Sequence, residues 1–280
     1  MFLLIISMLF KNKFLDLSKP QVMGILNVTP DSFSDGGRFT KPDKALRQAE
    51  IMILEGASII DVGGESTRPG ADTVSAEKEL DRVVPIIEAL NKRFDAVISV
   101  DTNKAQVMDV AVTAGAGLIN DVNGLRNEGA VEAVAKLNVP VCLMHMQGKP
   151  GTMQQNPHYS NVVQEVCEFL TQRVSACVEA GIKRENIMID PGFGFGKTLE
   201  HNCELFAKLT QLQALSLPIL IGVSRKSMFG AMFDRDVEQR VVPSVVSAIL
   251  AVQKGASILR VHDVKDTVDA LTLLAISDSS

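Results

Sequence analysis

The 280-residue chain predicts an α/β fold, a single (β/α)8 barrel, on three observations. Short apolar runs recur along it, helical patterns lie between most of them, and each run ends in polar or charged residues. Eight runs at this length favour the barrel. Periodicity does not show ring closure, so a doubly wound open sheet stands as the alternative.

The first run, Val22-Met-Gly-Ile-Leu26, is apolar throughout, as suits a strand buried on both faces, and Asn27 stands at its end. The loop after it, Val28-Thr-Pro-Asp-Ser-Phe33-Ser-Asp-Gly-Gly37, sets one aromatic among turn formers. On composition alone a solvated connector is the alternative, but loops of this length on compact domains more often carry function. The second run, residues 58–62, leads into Gly63-Gly-Glu-Ser-Thr-Arg-Pro-Gly70. Residues 96–100 end in Asp101-Thr102, 117–119 in Asn120-Asp121, 139–144 at His145, and 187–189 in Asp190-Pro-Gly192. Residues 218–223 precede Ser224-Arg-Lys-Ser227, and 257–261 precede His262-Asp263.

Helical patterns cover residues 44–55, stopped at Gly56, then 76–90 and 162–180, the last closed by Gly181. Pro243 suits the first turn of a helix through Val245, Val246, Ile249 and Leu250. Residues 103–114 and 127–137 are less strongly periodic. In a barrel the active site lies at the carboxyl ends of the strands. Here those ends carry Asn27, Asp61, Asp101, Asn120, Asp121, His145, Asp190, Arg225, Lys226, Arg260 and His262. So many hydrogen-bonding groups at one rim point to catalysis.

A formal charge of -5 without a basic block argues against a nucleic-acid surface, so any anion site must be local. Cys142, Cys167, Cys177 and Cys203 lack paired metal-ligand spacing and read as reduced, packed thiols of a cytoplasmic protein. The first ten residues are apolar but too short to span a membrane, and they lack a signal peptide's charged start and cleavage site. No other stretch reads as transmembrane. With Met8 as a second possible start, residues 1–14 read as a dispensable N-terminal extension ahead of one domain over residues 15–280.

Asp190-Pro-Gly-Phe-Gly-Phe-Gly-Lys-Thr198 follows a strand and invites a phosphate-loop reading. That motif needs glycine where Pro191 stands, and proline has no N–H to offer a phosphate. A glycine-rich βα turn explains the glycines but not Asp190.

Met23-Gly-Ile-Leu-Asn-Val-Thr-Pro-Asp-Ser-Phe-Ser-Asp-Gly-Gly37 and Asp61-Val-Gly-Gly-Glu-Ser-Thr-Arg-Pro-Gly70 resemble the two signatures of the dihydropteroate synthase family. The likeness continues through Ser99-Val-Asp-Thr102, Ile119-Asn-Asp-Val122, Met144-His-Met-Gln-Gly148, the Asp190 loop, Ser224-Arg-Lys-Ser227 and Arg260-Val-His-Asp-Val264. It runs from about Leu15 onward in the family's order, and that family's fold is a (β/α)8 barrel.

The resemblance implies condensation of a 6-hydroxymethyl-7,8-dihydropterin pyrophosphate with para-aminobenzoate, giving dihydropteroate and pyrophosphate for folate biosynthesis. It implies that Asp190, Asn120 and Asp101 meet the pterin's amino and ring N–H edge. Lys226 would donate to the ring's acceptor edge, with Met144 and Phe195 as walls. Arg68, Arg260 and His262 would grip the pyrophosphate, and Asn27 would ligate Mg²⁺. Para-aminobenzoate, which sulfonamides mimic, would sit against Pro69 and Phe195 with its carboxylate near Ser227. Thr67 and the loop around Phe33 would close over it. The family is usually dimeric, and the apolar helix after Pro243 is the candidate interface.

Overall fold

The structure is a computed structural model that describes residues 7–29, 41–66, 73–149 and 151–278. It opens with a hairpin of β1 (Ser7–Phe10) and β2 (Lys13–Asp16), joined through Lys11 and Asn12. Then come β3 (Gln21–Asn27), β4 (Ile59–Gly63), β5 (Val97–Asp101), β6 (Leu118–Asp121), β7 (Val141–Met144), β8 (Ile187–Asp190), β9 (Leu220–Ile221) and β10 (Ile258–Val261). These eight form one parallel sheet in the order β8-β7-β6-β5-β4-β3-β10-β9. The ring closes at Ile189, which bridges to Ile219 and donates its N–H to the Pro218 carbonyl at 3.0 Å. The fold is thus the barrel rather than the open sheet. Seven strands match their apolar runs closely. The run at 218–223 yields only two strand residues, Pro218 at its start lacking the N–H a ladder needs.

Side chains on a strand alternate between faces, so every second residue points inward. One inward tier consists of Met23, Ile59, Val97, Leu118, Cys142, Met188, Leu220 and Ile258, one from each strand and all buried. Met8 and Phe10 of the hairpin, with Leu17, pack onto this tier and form the barrel's floor. Two residues further along each strand lies a different tier: Ile25, Asp61, Ser99, Asn120, Met144, Asp190, Gly222 and Arg260. The change from apolar to polar marks where floor gives way to pocket.

The outward residues, among them Ile60, Val62, Val100, Ile119, Leu143, Ile189 and Leu259, pack against the helices. Those helices are α1 (Lys41–Leu54), α2 (Ala76–Arg93), α3 (Ala105–Ala114), α4 (Ala130–Leu137), α5 (Val162–Glu179), α6 (Leu199–Ala207), α7 (Ser227–Phe233), α8 (Val241–Gln253) and α9 (Val264–Asp278). In α5 the buried stripe Val162, Val166, Leu170, Val174, Cys177 follows helical spacing, and the Asn161 side chain caps the start by accepting from Gln164 N–H. The short α6 and α7, and α9, have no clean apolar stripe. Leu273 and Ile276 of α9 stay exposed, which blurs its periodicity. Among the described residues no helix is long and apolar enough to cross a membrane.

Candidate active site

Arg260, inward on β10, is the centre of the polar tier. Its Nε donates to Asp61 Oδ2 at 2.6 Å and its Nη2 to Asp101 Oδ2 at 2.7 Å. Asp61 Oδ2 also accepts from Asn120 Nδ2 at 3.1 Å. Three strands are tied together through one guanidinium and two carboxylates. The flanking acids raise Arg260's pKa despite the opposing effect of burial. Burial pushes Asp101 up to about 7, against the pull of Arg260 and helped by the charge of Asp61.

Asp190, at the end of β8, accepts Gly192 N–H at 2.7 Å, and its pKa is raised by burial all the same. Facing it is Lys226, whose Nζ lies 4.2 Å from the centre of the Phe195 ring. Burial and the charge of Arg260 lower Lys226 to about 8, against the pull of Asp190. Phe195 packs with Met144, Met146, Met153 and Val122 as an apolar wall. His262 Nδ1 shares a hydrogen bond with Ser224 Oγ at 3.1 Å, and burial with neighbouring Arg260 lowers its pKa to about 4. It is therefore neutral at physiological pH. Asn27 Oδ1 and Asp101 Oδ2 both lie beside Gly63, 3.5 and 3.8 Å from where a Cβ on it would stand.

Two loops owe their shape to close approaches. Gly192 has φ +69°, and a Cβ there would meet the His145 carbonyl at 1.9 Å; Gly196 has φ +63° and would meet that of Gln147 at 2.4 Å. The glycines let the β7 and β8 loops interlock. Lys197 fastens the turn, its buried Nζ donating to the carbonyls of Gly192 at 2.8 Å and Phe195 at 3.1 Å. On the other loop Arg225 sits at φ +56°, a conformation held by Ser244 Oγ on its N–H and by its ion pair with Asp263. That fixes the direction of Lys226 beside it.

Asn27, Asp101, Asn120, Met144, Asp190, Phe195, Lys226, Arg260 and His262 thus meet at one mouth. Ser227 opens α7 beside Lys226 and is exposed. Phe33, Thr67, Arg68 and Pro69 lie outside the described residues. Three rim residues do not line the pocket. Asp121 faces outward and accepts the N–H groups of Asn123 and Leu125, each at 2.7 Å. His145 turns its Nδ1 to Lys197 at 2.9 Å and its ring edge-on to Phe169. Arg225 is spent on Asp263.

A family model described as pterin binding enzyme matches residues 23–262. A dihydropteroate synthase of Haemophilus influenzae is 57% identical over 260 residues, 93% of this chain and 94% of that protein. The chain belongs to the dihydropteroate synthase family of pterin-binding enzymes. Its activity is that of a dihydropteroate synthase. The solved Yersinia pestis dihydropteroate synthase in a sulfonamide drug complex superimposes with a TM-score of 0.94 at 51% identity, covering 98% of this chain and 100% of that one. The Xanthomonas albilineans dihydropteroate synthase with 4-aminobenzoic acid gives 0.94 at 49%, covering 98% and 99%.

Within this dihydropteroate synthase fold, sequence reasoning noted Asp61 at the rim without giving it a role. The alternation of Ile59, Asp61 and Gly63 was the available signal, since it turns Asp61 inward. The Glu65–Lys104–Glu79 cluster went unseen. Lys104 Nζ bonds Glu65 at 2.7 Å and Glu79 at 2.5 Å, and Glu65 also takes Val74 N–H at 2.7 Å. Its members come from three separate segments, which no local pattern links.

Proposed function

We propose that this mouth binds the pterin pyrophosphate deep and para-aminobenzoate above it, and joins them by substitution at the pterin methylene. The observation that carries this is the meeting of a buried carboxylate, an ammonium and an aromatic face in Asp190, Lys226 and Phe195. A flat heterocycle with a donor edge and an acceptor edge suits that set. Asp190, Asn120 and Asp101 accept from its amino and N–H groups, Lys226 donates to its acceptor edge, and Met144 and Phe195 flank the ring. Charge-assisted hydrogen bonds of this kind contribute about 1.5–3 kcal/mol each.

In the reaction the C–O bond to pyrophosphate breaks early, leaving a methylene cation delocalised into the ring. The amine nitrogen of para-aminobenzoate then forms the C–N bond and gives up a proton to the released pyrophosphate. The protein's part is charge stabilisation and exclusion of water, so no nucleophile–base pair is needed. Arg260 and Arg68 take the leaving group's charge, Arg being suited to bidentate grip on phosphate. His262, neutral before substrate arrives, donates from its ring or gains a proton beside the anion. Thr67, Pro69, Phe33, Phe195 and Ser227 hold para-aminobenzoate, where a sulfonamide competes.

Among the described residues no group of three or more His, Cys, Asp or Glu side chains is placed to hold a metal. The neutral oxygen of Asn27 beside Asp101 fits Mg²⁺, a cation that keeps several waters and shares substrate phosphates. Asn27 would hold it, and it would neutralise charge on the diphosphate. Exhaustive chelation should abolish turnover; full activity without divalent metal would exclude this ligand.

We further propose a homodimer in the cytoplasm. Val242, Val246 and Leu250 expose one stripe of α8, and neighbouring α9 exposes Leu273 and Ile276. All four cysteines are free thiols, as a reducing compartment keeps them. The site is tested by pyrophosphate release with both substrates and with each omitted, together with calorimetry on Asp190→Ala. Release should need both substrates and pterin binding should vanish; unchanged affinity would refute the pocket.

A further inference from the structure

Asp61 has no exposed surface, yet it is a carboxylate in the middle of a barrel. Its Oδ2 takes both the Arg260 Nε–H and the Asn120 Nδ2–H, while its Oδ1 has no hydrogen-bond partner among the described residues. Burying such a group is costly unless its partners are well placed, and an orphaned oxygen adds to the cost. Ile25 stands in the same tier on the adjacent strand. An apolar residue is accommodated at this depth on β3, so the acid on β4 goes with Arg260, whose buried charge it faces, rather than with the depth.

What the carboxylate supplies is orientation. The Nε and Nη2 hydrogens leave the same edge of the guanidinium. With that edge held by Asp61 and Asp101, the plane is fixed and Nη1 is the amino group that neither acid takes. On its other side Asp61 engages the amide N–H of Asn120, which leaves the amide oxygen of Asn120 as the acceptor turned to a ligand. One oxygen thus sets an anion-facing donor on β10 and a heterocycle-facing acceptor on β6. Both are reached from β4, which neighbours neither strand.

We propose that Asp61 is a positioning residue that couples the pyrophosphate-binding and pterin-binding halves of the site. It touches neither substrate half and acts through Arg260 and Asn120. The proposal rests on the roles given above to those two residues. A misplacement of about 1 Å by a residue that does not touch the reacting atoms can cost around 100-fold.

The test is a double-mutant cycle of Asp61→Asn with Arg260→Met. Calorimetry measures affinity for hydroxymethyl-dihydropterin pyrophosphate and for the bare hydroxymethyl-dihydropterin, and their ratio isolates the diphosphate's share. Asp61→Asn should lower that ratio at least ~10-fold in the otherwise native protein, but less than ~2-fold once Arg260 is Met. Bare pterin affinity should fall in both backgrounds, through Asn120. A merely structural role would lower the melting temperature without changing the ratio. Equal loss of the ratio in both backgrounds overturns the positioning role alone. An Arg260→Met single variant whose ratio equals that of the native protein overturns the site reading, and the proposal with it. Should the isosteric variant fail to fold, Asp61→Ser is read on the same ratio with the same outcomes.

Discussion

Lys226 has its proton loosened by burial and by the charge of Arg260, so its ammonium gives way near pH 8. As pH rises through that value the charged donor to the pterin's acceptor edge is lost, and kcat/KM for the pterin substrate should fall. Folding stability responds with the opposite sign. Between about 8 and the unfolded lysine's value of about 10.4, the unfolded chain binds more protons than the folded one, so this group makes stability rise with pH. A pH–rate profile beside denaturant titrations reads both slopes, and a rate profile flat to about pH 10 would refute the assignment. Most of these side chains could be named from strand-end positions, because alternation fixes which way a residue points. It does not fix reach. That is why Asp121 and His145 stood with the pocket residues, and why Asp61 stood there without a task.

At the scale of the element, the hairpin at the amino end is the least legible piece. Its apolar start reads as a dispensable extension, yet Met8 and Phe10 alternate with exposed Leu9, which is a strand's pattern. The Phe10 carbonyl lies 3.2 Å from where a Cβ on Gly117 would stand. Lys13 Nζ holds the Ala96 carbonyl at 2.6 Å, below β5. We propose that the hairpin is part of the domain rather than a dispensable extension. Phe10→Ala should cost about 3–5 kcal/mol in urea unfolding, while kcat, set at the opposite end, changes little. A loss under about 0.5 kcal/mol would restore the dispensable reading. The eight barrel strands were visible because each carries a short apolar run, broken only by inward polar residues such as Asp61, Ser99 and Arg260. The helices α6, α7 and α9 were not, since their packing is settled by the sheet beneath them rather than by a stripe of their own.

At the scale of the whole molecule, ring closure lies beyond periodicity because it depends on contacts between the ends of a row of strands. The exposed stripes of α8 and α9 pose a similar question, since apolar surface of this kind marks an interaction site. Val246→Glu should convert a dimer to monomers in analytical ultracentrifugation, with the melting temperature of the monomer nearly unchanged. A native protein sedimenting as a monomer would dispose of the interface.

The ring is laced unevenly. β3 and β4 share five paired positions, whereas β9 offers two residues and meets β8 through the Ile189–Ile219 bridge. The loop bearing Ser224, Arg225 and Lys226 hangs from that sparsely bonded stave. Deuterium should enter the amides at this seam before those of β4 and β5. The wall that breathes first is then the one that carries the lysine, so a pterin held by Lys226 as proposed would also act as a staple across the joint.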